Sequence, residues 1–283
     1  MRLLRFSHKG RIGFGTLRDG EVCDLSNVFS SLTDVAAVLS TPAGHGVIEE
    51  LGRLVPAIRE GEVVPLAPIE PTSRIFCLSL GYRSHADEAG RQVRKDPYFF
   101  VKVASAIIDP FAPIVTPPIA QFLDYEGEIA LIIGRGGHQI DETDAMSHVL
   151  GVSILNDTTA RDLQRRDGEI PAVTDWLSGK SLDGTTPLGP HIVTLDELGT
   201  LSEIELRTTL NGGLVQAAKV SDMAYPMPRL VSYLSARVAL KPFDVIATGT
   251  PARSEGYKTR RLVPGDVVEV SVSGVGFIRN VVA

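Results

Sequence analysis

Cysteine is scarce in this sequence, with only Cys23 and Cys77 among 283 residues. Two cysteines cannot form the disulfide framework of a small secreted domain, and a low cysteine content is typical of a reducing compartment. Residues 1–14 contain basic side chains but no continuous apolar stretch and no small-residue cleavage site, so no signal peptide is predicted. We therefore expect a cytoplasmic location.

Long apolar runs and an excess of positive charge are also missing. No run approaches the roughly 18 to 20 apolar residues that span a bilayer. The formal net charge of −6 and the pI near 5.6 argue against the basic surface with which proteins neutralise nucleic-acid phosphates. With 43% hydrophobic and 22% charged residues, the composition predicts a soluble globular protein that binds neither nucleic acid nor membrane.

Three common functional motifs are absent. The segment GKS at residues 179–181 resembles the end of a phosphate-binding P-loop, but Thr174 stands where that motif needs its first glycine. Residues 134–138, GRGGH, lack the glycine spacing of a dinucleotide-binding turn. No G-x-S-x-G is present, which argues against a serine hydrolase of that type.

Turn and proline signals divide the chain into two parts. Residues 1–25 contain three short segments separated by glycine turns and predict a β meander. Residues 32–59 carry apolar side chains at helical spacing and predict two helices. The proline-rich segment VVPLAPIEPTSR, residues 63–74, is interpreted as a linker. We predict a small N-terminal α/β domain over residues 1–68 and a larger second domain over the remainder, 69–283.

Strand signals dominate the region after the linker. Segments such as PYFFVKV, EIALIIG and GVSILN are short and apolar, whereas few helices are predicted, among them Thr159–Arg166 and Met227–Arg237. Asn211-Gly212 and Ser273-Gly274 occur where hairpin turns need residues that tolerate positive φ. The alternation of strands and helices is too irregular for a parallel doubly wound sheet, so we predict an α+β fold with a largely β second domain.

An acidic cluster precedes the apolar strand predicted within LDYEGEIALIIG, residues 123–134. In an extended chain Glu126 and Glu128 point to the same face, and Asp157 follows the next predicted strand. Such a cluster can be a solvated strand entrance. It can also hold a cation, and carboxylates without a neighbouring Cys or His cluster suit Mg²⁺ or Mn²⁺. Three carboxylates exceed the charge of a dication, so Lys180 is a candidate for balancing it, unless it is an ordinary solvated lysine.

His85 and Glu88 are three residues apart and would share one face of a helix. A His oriented by a carboxylate is the usual arrangement for deprotonating a water molecule. The alternative is structural, because Ser84 and Asp87 form a capping-box pattern that would start a helix here.

Several motifs, read in chain order, resemble those of the fumarylacetoacetate hydrolase family. They are Y-R-S-H-A-D-E, D-Y-E-G-E-I-A-L-I-I-G, N-D-T-T-A-R-D-L-Q, G-K-S-L-D, G-P-H-I-V-T, N-G, T-G-T-P and P-G-D-V-V-E-V. The resemblance covers about residues 73–282. It implies the family's β-rich catalytic fold, usually a homodimer, with one divalent cation per subunit: Mg²⁺, or Mn²⁺ or Ca²⁺ in its place.

The resemblance also implies roles for individual residues. By position in the motifs, the residues that match the family's metal ligands are Glu126, Glu128 and Asp157. Those that match its catalytic groups are Lys180 and the lid dyad of His85 and Glu88. Those that match its substrate-binding residues are Arg83, Gln164 and Thr250. The chain departs from the family at Gly81, where Asn is common, and at ARSEG after T-G-T-P, where G-V-G is common; both changes bear on substrate identity more than on metal binding.

These observations lead to the hypothesis of an enzyme that hydrolyses a carbon–carbon bond in a 2,4-dioxo acid, or acylpyruvate. The cation and Lys180 would stabilise an enolate, and His85 with Glu88 would activate water. The alternative is decarboxylation or isomerisation of an unsaturated 2-oxo diacid in the catabolism of aromatic or sugar acids, which needs no attacking water. A non-catalytic binding protein with the same fold is a third possibility, but it would need no water-activating dyad.

Overall fold

The main structural unit is a 12-stranded mixed sheet, accompanied by a four-stranded sheet and a two-stranded ribbon. A computed structural model describes residues 1–165, 174–254, 256 and 260–283. The strands are β1 Arg2–His8, β2 Arg11–Arg18, β3 Glu21–Asp24, β4 Ala57–Arg59, β5 Val64–Leu66, β6 Ile75–Ser79, β7 Tyr98–Lys102, β8 Ile107–Ile108, β9 Leu123–Asp124, β10 Gly127–Ile133, β11 Val149–Asn156, β12 Thr159–Ala160, β13 Thr186–Thr194, β14 Glu205–Leu210, β15 Gly213–Lys219, β16 Val245–Ala247, β17 Val267–Val272 and β18 Gly276–Val281. The α-helices are α1 Leu32–Leu39, α2 Gly44–Leu54, α3 Arg83–Glu88, α4 Arg161–Gln164, α5 Trp176–Lys180 and α6 Met227–Ser235. Short 3₁₀ turns occur at Glu60–Glu62, Ala104–Ala106, Ala145–His148, Leu195–Glu197, Leu201–Glu203 and Val220–Asp222.

The large sheet has the strand order β4-β3-β2-β1-β13-β11-β10-β16-β6-β7, with β5 paired to β1 and β8 paired to β13. Its pairings are antiparallel except for β16 with β6 and β13 with β8. The smaller sheet, β15-β14-β17-β18, is antiparallel throughout. This mixed, strand-rich arrangement with few helices is the predicted α+β class.

The central strands β10 and β11 are buried along their whole length. They are accordingly apolar without alternation, which is typical of strands covered on both faces. At the start of β10 the second sheet comes so close that a side chain at Gly127 would lie 2.2 Å from Thr208 Oγ1 and 2.9 Å from Val270 Cγ1. A residue without Cβ at this position therefore lets the four-stranded sheet pack directly beside Glu126 and Glu128.

The N-terminal predictions are largely confirmed. The meander appears as β1 to β3, and both helices are present, but the second ends at Leu54 and the chain then forms β4. The interpretation of residues 63–74 as a linker is wrong in part, because β5 pairs with β1. Proline is tolerated there since β5 is a three-residue strand that pairs only with β1. The large sheet continues across residue 68, and the division into two domains stays a prediction.

The predicted strands of the second region are present, and the hairpin turn at Asn211-Gly212 has φ of 52° and 83° as expected. Helix α6 ends two residues before the predicted Arg237. The predicted helix Thr159–Arg166 is wrong at its start, because Thr159–Ala160 pairs with β9 and only Arg161–Gln164 is helical; Arg166 lies outside the described residues. Among the helices described, none has the length and apolarity needed to cross a membrane.

Candidate active site

Three carboxylates converge where β10 begins and β11 ends. The two strands are antiparallel neighbours with Gly127 opposite Asn156, so Glu126, Glu128 and Asp157 meet at one end of the sheet. Each offers an oxygen, and these atoms lie within 4.8 Å of one another. The residues are only 5%, 1% and 1% exposed. The alternative of a solvated strand entrance is therefore wrong.

Lys180, at the end of α5, connects two of these carboxylates. Its Nζ lies 2.5 Å from Glu126 Oε2 and 2.7 Å from Asp157 Oδ2. The side chain is buried, so the alternative of an ordinary solvated lysine is also wrong. Although burial lowers the pKa of Lys180, the charges of Asp157 and Glu126 outweigh it and raise that pKa above its ordinary value. Lys180 is therefore a fixed positive charge at this site.

Two further cations at the site were not recognised in the sequence. Lys102 on β7 forms an ion pair with Asp157, its Nζ 2.6 Å from Oδ1, and donates to Thr186 Oγ1 at 2.7 Å. Arg161 forms an ion pair with Glu126 and donates through Nε to Asp124 Oδ2 at 2.8 Å. Alternation along PYFFVKV places Lys102 on the buried face of β7, which was an available signal for a functional lysine.

The pKa values of Glu126 and Glu128 are shifted in opposite directions. Burial, reinforced by the charges of Asp157 and Glu126, raises the pKa of Glu128 well above its ordinary value. Burial also raises the pKa of Glu126, but the charges of Lys180 and Arg161 outweigh it and lower that pKa overall. Glu128 Oε2 accepts one hydrogen bond, from the N–H of Gly249 at 2.8 Å. Of the three carboxylates, Glu128 is therefore the one whose negative charge a further cation would stabilise most.

This donor set fits a hard divalent cation. The cluster contains only carboxylates, the ligands that Mg²⁺ and Mn²⁺ prefer over the thiolates and imidazoles typical of Zn²⁺. The charges beside it are the carboxylates of Asp124 and Glu88 and the four cations Lys102, Arg161, Lys180 and Arg253. Five carboxylates and four cations give −1, and a dication would change the total to +1. The site would then attract an anion.

His85 lies in the cavity formed by these groups, which we call the inner pocket; its lining includes Glu126, Glu128, Gln164, Lys180 and Thr250. Burial lowers the pKa of His85, which favours the neutral ring that a general base needs. Within the described chain its buried Nδ1 has no hydrogen-bond partner.

Glu88, the predicted carboxylate partner of His85, pairs with Arg253 instead. Glu88 Oε1 accepts a hydrogen bond from Nε of Arg253 at 3.3 Å, and Nη1 of Arg253 donates to Asp124 Oδ2 at 2.6 Å. The predicted capping box is wrong, because α3 begins at Arg83 and Ser84 instead accepts from the N–H of Ala252 at 3.3 Å.

The three predicted substrate-binding residues separate into two groups. Gln164 and Thr250 are buried and line the inner pocket. Gln164 accepts from Arg161 Nη1 at 3.2 Å, and Thr250 accepts from Gln216 Nε2 at 2.8 Å, so both side chains are held in place. Arg83 is exposed and lines a different cavity, which does not agree with its predicted place in the pocket.

The chain resembles known proteins over most of its length. Residues 74–283 match the family described as fumarylacetoacetate (FAA) hydrolase, C-terminal. A mitochondrial protein of Bos taurus named oxaloacetate tautomerase is 33% identical over 291 residues, covering 99% of this chain and 91% of that protein. The relatives of this protein therefore include one named for a keto–enol conversion.

Two solved structures have the same fold. Fumarylacetoacetate hydrolase from the psychrophilic Exiguobacterium antarcticum is 34% identical, with a TM-score of 0.82 over 100% of this chain and 99% of that one. Maleylpyruvate hydrolase from Sphingobium sp. SYK-6, in complex with manganese(II) and pyruvate, is 25% identical, with a TM-score of 0.80 over 100% and 99%. These similarities confirm the predicted fold class.

Proposed function

The chain belongs to the fumarylacetoacetate hydrolase family, and from that membership and the buried carboxylate site we propose that it hydrolyses a carbon–carbon bond in an acylpyruvate. The observation that carries the proposal is the convergence of Glu126, Glu128, Asp157 and Lys180 at one site, next to the inner pocket that His85 lines. A divalent cation held by the three carboxylates, with Mg²⁺ the first candidate and Mn²⁺ or Ca²⁺ the alternatives, would place positive charge opposite the oxygen that becomes an enolate.

The residues of the chain supply the other requirements of this reaction. Lys180 carries a fixed charge beside the pyruvate half of the substrate, and the half-buried ring of His85, whose pKa is lowered, can accept a proton from water. Water oxygen then bonds to the distal carbonyl carbon, and the carbon–carbon bond breaks with its electron pair moving to the pyruvate enolate. The proton returns to the enolate carbon, giving pyruvate and a carboxylic acid.

Product analysis tests this proposal. The protein, freed of metal with a chelator, is assayed on a panel of acylpyruvates with Mg²⁺, Mn²⁺ or Ca²⁺, and both products are quantified. We expect cation-dependent formation of pyruvate and the second acid in equal amounts. Replacing His85 with Ala should lower hydrolysis by a factor of about 10² to 10⁴ while leaving cation affinity nearly unchanged. Loss of both properties together would contradict the roles given to these residues.

A second candidate function is keto–enol conversion of a 2-oxo diacid such as oxaloacetate. The observation that favours it is the pairing of Glu88 with Arg253, which leaves His85 without the carboxylate that would orient it toward water. The protein named oxaloacetate tautomerase also aligns with 99% of this chain. Moving a proton between carbon and oxygen of an enol needs the same charge stabilisation but no attacking water.

The two candidates differ in measurable products. Decay of enol absorbance without release of a second acid would favour the tautomerase, whereas two products from an acylpyruvate favour the hydrolase. Carbon dioxide released from oxaloacetate would identify decarboxylation, the remaining alternative. We further propose a cytoplasmic homodimer with one cation per subunit, which sedimentation and metal analysis of the purified protein would test.

A further inference from the structure

Gln216 on β15 connects the four-stranded sheet to the candidate active site. Its side chain is 1% exposed. Nε2 donates to Thr250 Oγ1 and to the carbonyl oxygen of Pro251, both at 2.8 Å, and Oε1 accepts a hydrogen bond from the N–H of Gly127 at 3.2 Å. One buried amide therefore joins the T-G-T-P turn to the start of β10, between two of the candidate metal ligands.

The hydrogen-bond partners determine which way the Gln216 amide points. A carbonyl oxygen such as that of Pro251 can only accept, and a backbone N–H such as that of Gly127 can only donate. The reversed amide would place its oxygen against the Pro251 carbonyl and its N–H groups against the Gly127 N–H. Both mismatches would be buried, where an unpaired polar group is most costly. Nε2 therefore faces Thr250 and Pro251, and both of its protons are used.

This orientation decides the role of the Thr250 hydroxyl. Because Nε2 of Gln216 has protons to donate and no lone pair to offer, Thr250 Oγ1 must accept from it. The hydroxyl keeps one proton of its own, and no described residue receives that proton in a hydrogen bond. Thr250 is buried and lines the inner pocket. The proton is therefore available to an acceptor on a ligand bound there.

The T-G-T-P turn is fixed on both sides. On one side, Thr248 Oγ1 donates to the carbonyl oxygen of Ile129 at 3.0 Å, and the N–H of Gly249 donates to Glu128 Oε2 at 2.8 Å. Gly249 has φ of 86°, a conformation that favours glycine. On the other side, the turn is bonded to Gln216. The hydroxyl is therefore held next to the carboxylate site, since the turn cannot shift without breaking a buried hydrogen bond.

We propose that Gln216 is a positioning residue, which makes Thr250 a donor into the inner pocket and thereby selects a ligand oxygen that carries no proton, as in a carboxylate or an enolate. Gln216 was not among the residues predicted from the sequence, because its effect passes through Thr250 and its strand belongs to the other sheet. The inference rests on the proposed function only for the choice of pyruvate, the expected product, as the ligand.

An isosteric substitution tests this role. Gln216→Glu replaces Nε2 by an oxygen with one proton at most, and the carbonyl of Pro251, which can only accept, needs that proton. Thr250 must then donate to the new carboxyl group, which turns its proton away from the pocket. Because the acceptor for the Gly127 N–H is retained, we expect the affinity for Mn²⁺ to be nearly unchanged.

The affinity for pyruvate is measured with saturating Mn²⁺ from the fluorescence of Trp176, the sole tryptophan of the chain, which lines the inner pocket. Thr250→Val should weaken pyruvate binding by at least about tenfold, the effect of losing one hydrogen bond to a charged group, and Thr250→Ser, which keeps the hydroxyl, by much less. In the Gln216→Glu background, Thr250→Val should have almost no effect, because the hydroxyl already donates elsewhere. A merely structural role of Gln216 would leave the effect of Thr250→Val the same in both backgrounds.

Gln139→Glu is the matched control, because Gln139 is exposed beyond the other end of β10 and Thr250→Val should have its wild-type effect in that background. If Gln216→Glu does not fold, Gln216→Met takes its place; it frees the hydroxyl to rotate, so Thr250→Val should weaken binding less than in the wild type. An equal effect in the wild type and the Gln216 variant, wild-type affinity in Thr250→Val, or no binding of pyruvate by the wild type would overturn the inference. A failure to cleave acylpyruvates while pyruvate still binds would instead overturn the proposed function.

Discussion

The carboxylate of Glu88 accepts a hydrogen bond from Nε of Arg253 at 3.3 Å. Arg253 follows the T-G-T-P motif, at the point where the sequence departs from the family's usual glycine-rich continuation. The same guanidinium donates to Asp124, so it ties α3 to β9 beside the carboxylate site. In this arrangement Arg253 competes with His85 for the Glu88 carboxylate.

Replacing Arg253 with Met should release Glu88 while preserving side-chain bulk. Asp124 keeps its bonds from Arg161 Nε and from the Tyr125 N–H, so we expect the fold to remain. Hydrolysis of an acylpyruvate should rise relative to keto–enol conversion, by less than the roughly 10² that a complete general base supplies. Both rates are measured on one preparation, with Arg207→Gln on the exposed face of β14 as control. A parallel fall of both rates at an unchanged melting temperature would contradict this view of Arg253.

Replacing Glu128 with Gln should separate cation binding from stability. The amide oxygen can still accept from the N–H of Gly249, and the change removes a buried charge that lies beside two like charges. We expect the cation-free variant to unfold at the same or a higher temperature. Its affinity for Mn²⁺, measured by calorimetry, should fall by more than the roughly 10- to 100-fold typical of losing an outer-shell partner. Unchanged Mn²⁺ affinity would show that Glu128 is not a metal ligand. The control is Glu142→Gln, which changes an exposed glutamate.

The carboxylate site could be predicted because local rules decide it. Glu126 and Glu128 are two residues apart in extended chain at the start of β10, and Asp157 directly follows β11, the strand that pairs with β10. Charge balance made Lys180 only a candidate, and the family resemblance assigned its role, because no local pattern relates a lysine at the end of α5 to Asp157, 23 positions away, or Glu126, 54 positions away.

Other features depend on tertiary contacts that sequence patterns do not report. The Glu88–Arg253 pair joins residues 165 positions apart and overrides the spacing that favoured a His85–Glu88 dyad. Proline predicted a linker at residues 63–74, but an edge position made β5 compatible with Pro65. Lys102 was missed because the sequence indicates only that this lysine lies on the buried face of an apolar strand. Its partner Asp157 comes close only through the packing of β7 near the end of β11.

Replacing Lys102 with Met should make the protein depend on a divalent cation for stability. Asp157 would lose one of its two buried cationic partners but keep Lys180, so the loss should be smaller than the roughly 3–5 kcal/mol of a fully broken buried pair. Less positive charge would then oppose a bound dication. We expect Mg²⁺ to raise the melting temperature of this variant more than that of the wild type.

The control for Lys102 is Lys241→Met, which removes an exposed lysine and should leave the Mg²⁺-induced shift unchanged. A smaller shift in Lys102→Met than in the wild type would show that Lys102 positions Asp157 for the cation more than it repels the cation.

His191 should make stability fall in mildly acidic solution. Its ring is buried on β13, and burial lowers its pKa to about 4, while Nε2 lies 2.6 Å from the carbonyl of Val275. The unfolded chain binds a proton near pH 6.5, whereas the folded chain does not until about pH 4. The contribution of the neutral ring is therefore complete above pH 6.5 and is lost as the pH falls toward 4, a change of about 3 kcal/mol.

Replacing His191 with Gln should flatten this part of the pH dependence, because the amide can still donate to Val275 and does not titrate. The free energy of unfolding is measured with urea at several pH values between 4 and 7 and at one protein concentration, for the wild type, His191→Gln and His138→Gln. The exposed His138 is the matched control, and its variant should follow the wild type. The active-site carboxylates are the same in all three proteins, so the difference between the first two curves isolates His191. Parallel curves would mean that the unfolded and folded states protonate this ring alike, and would contradict a pKa lowered by burial on β13.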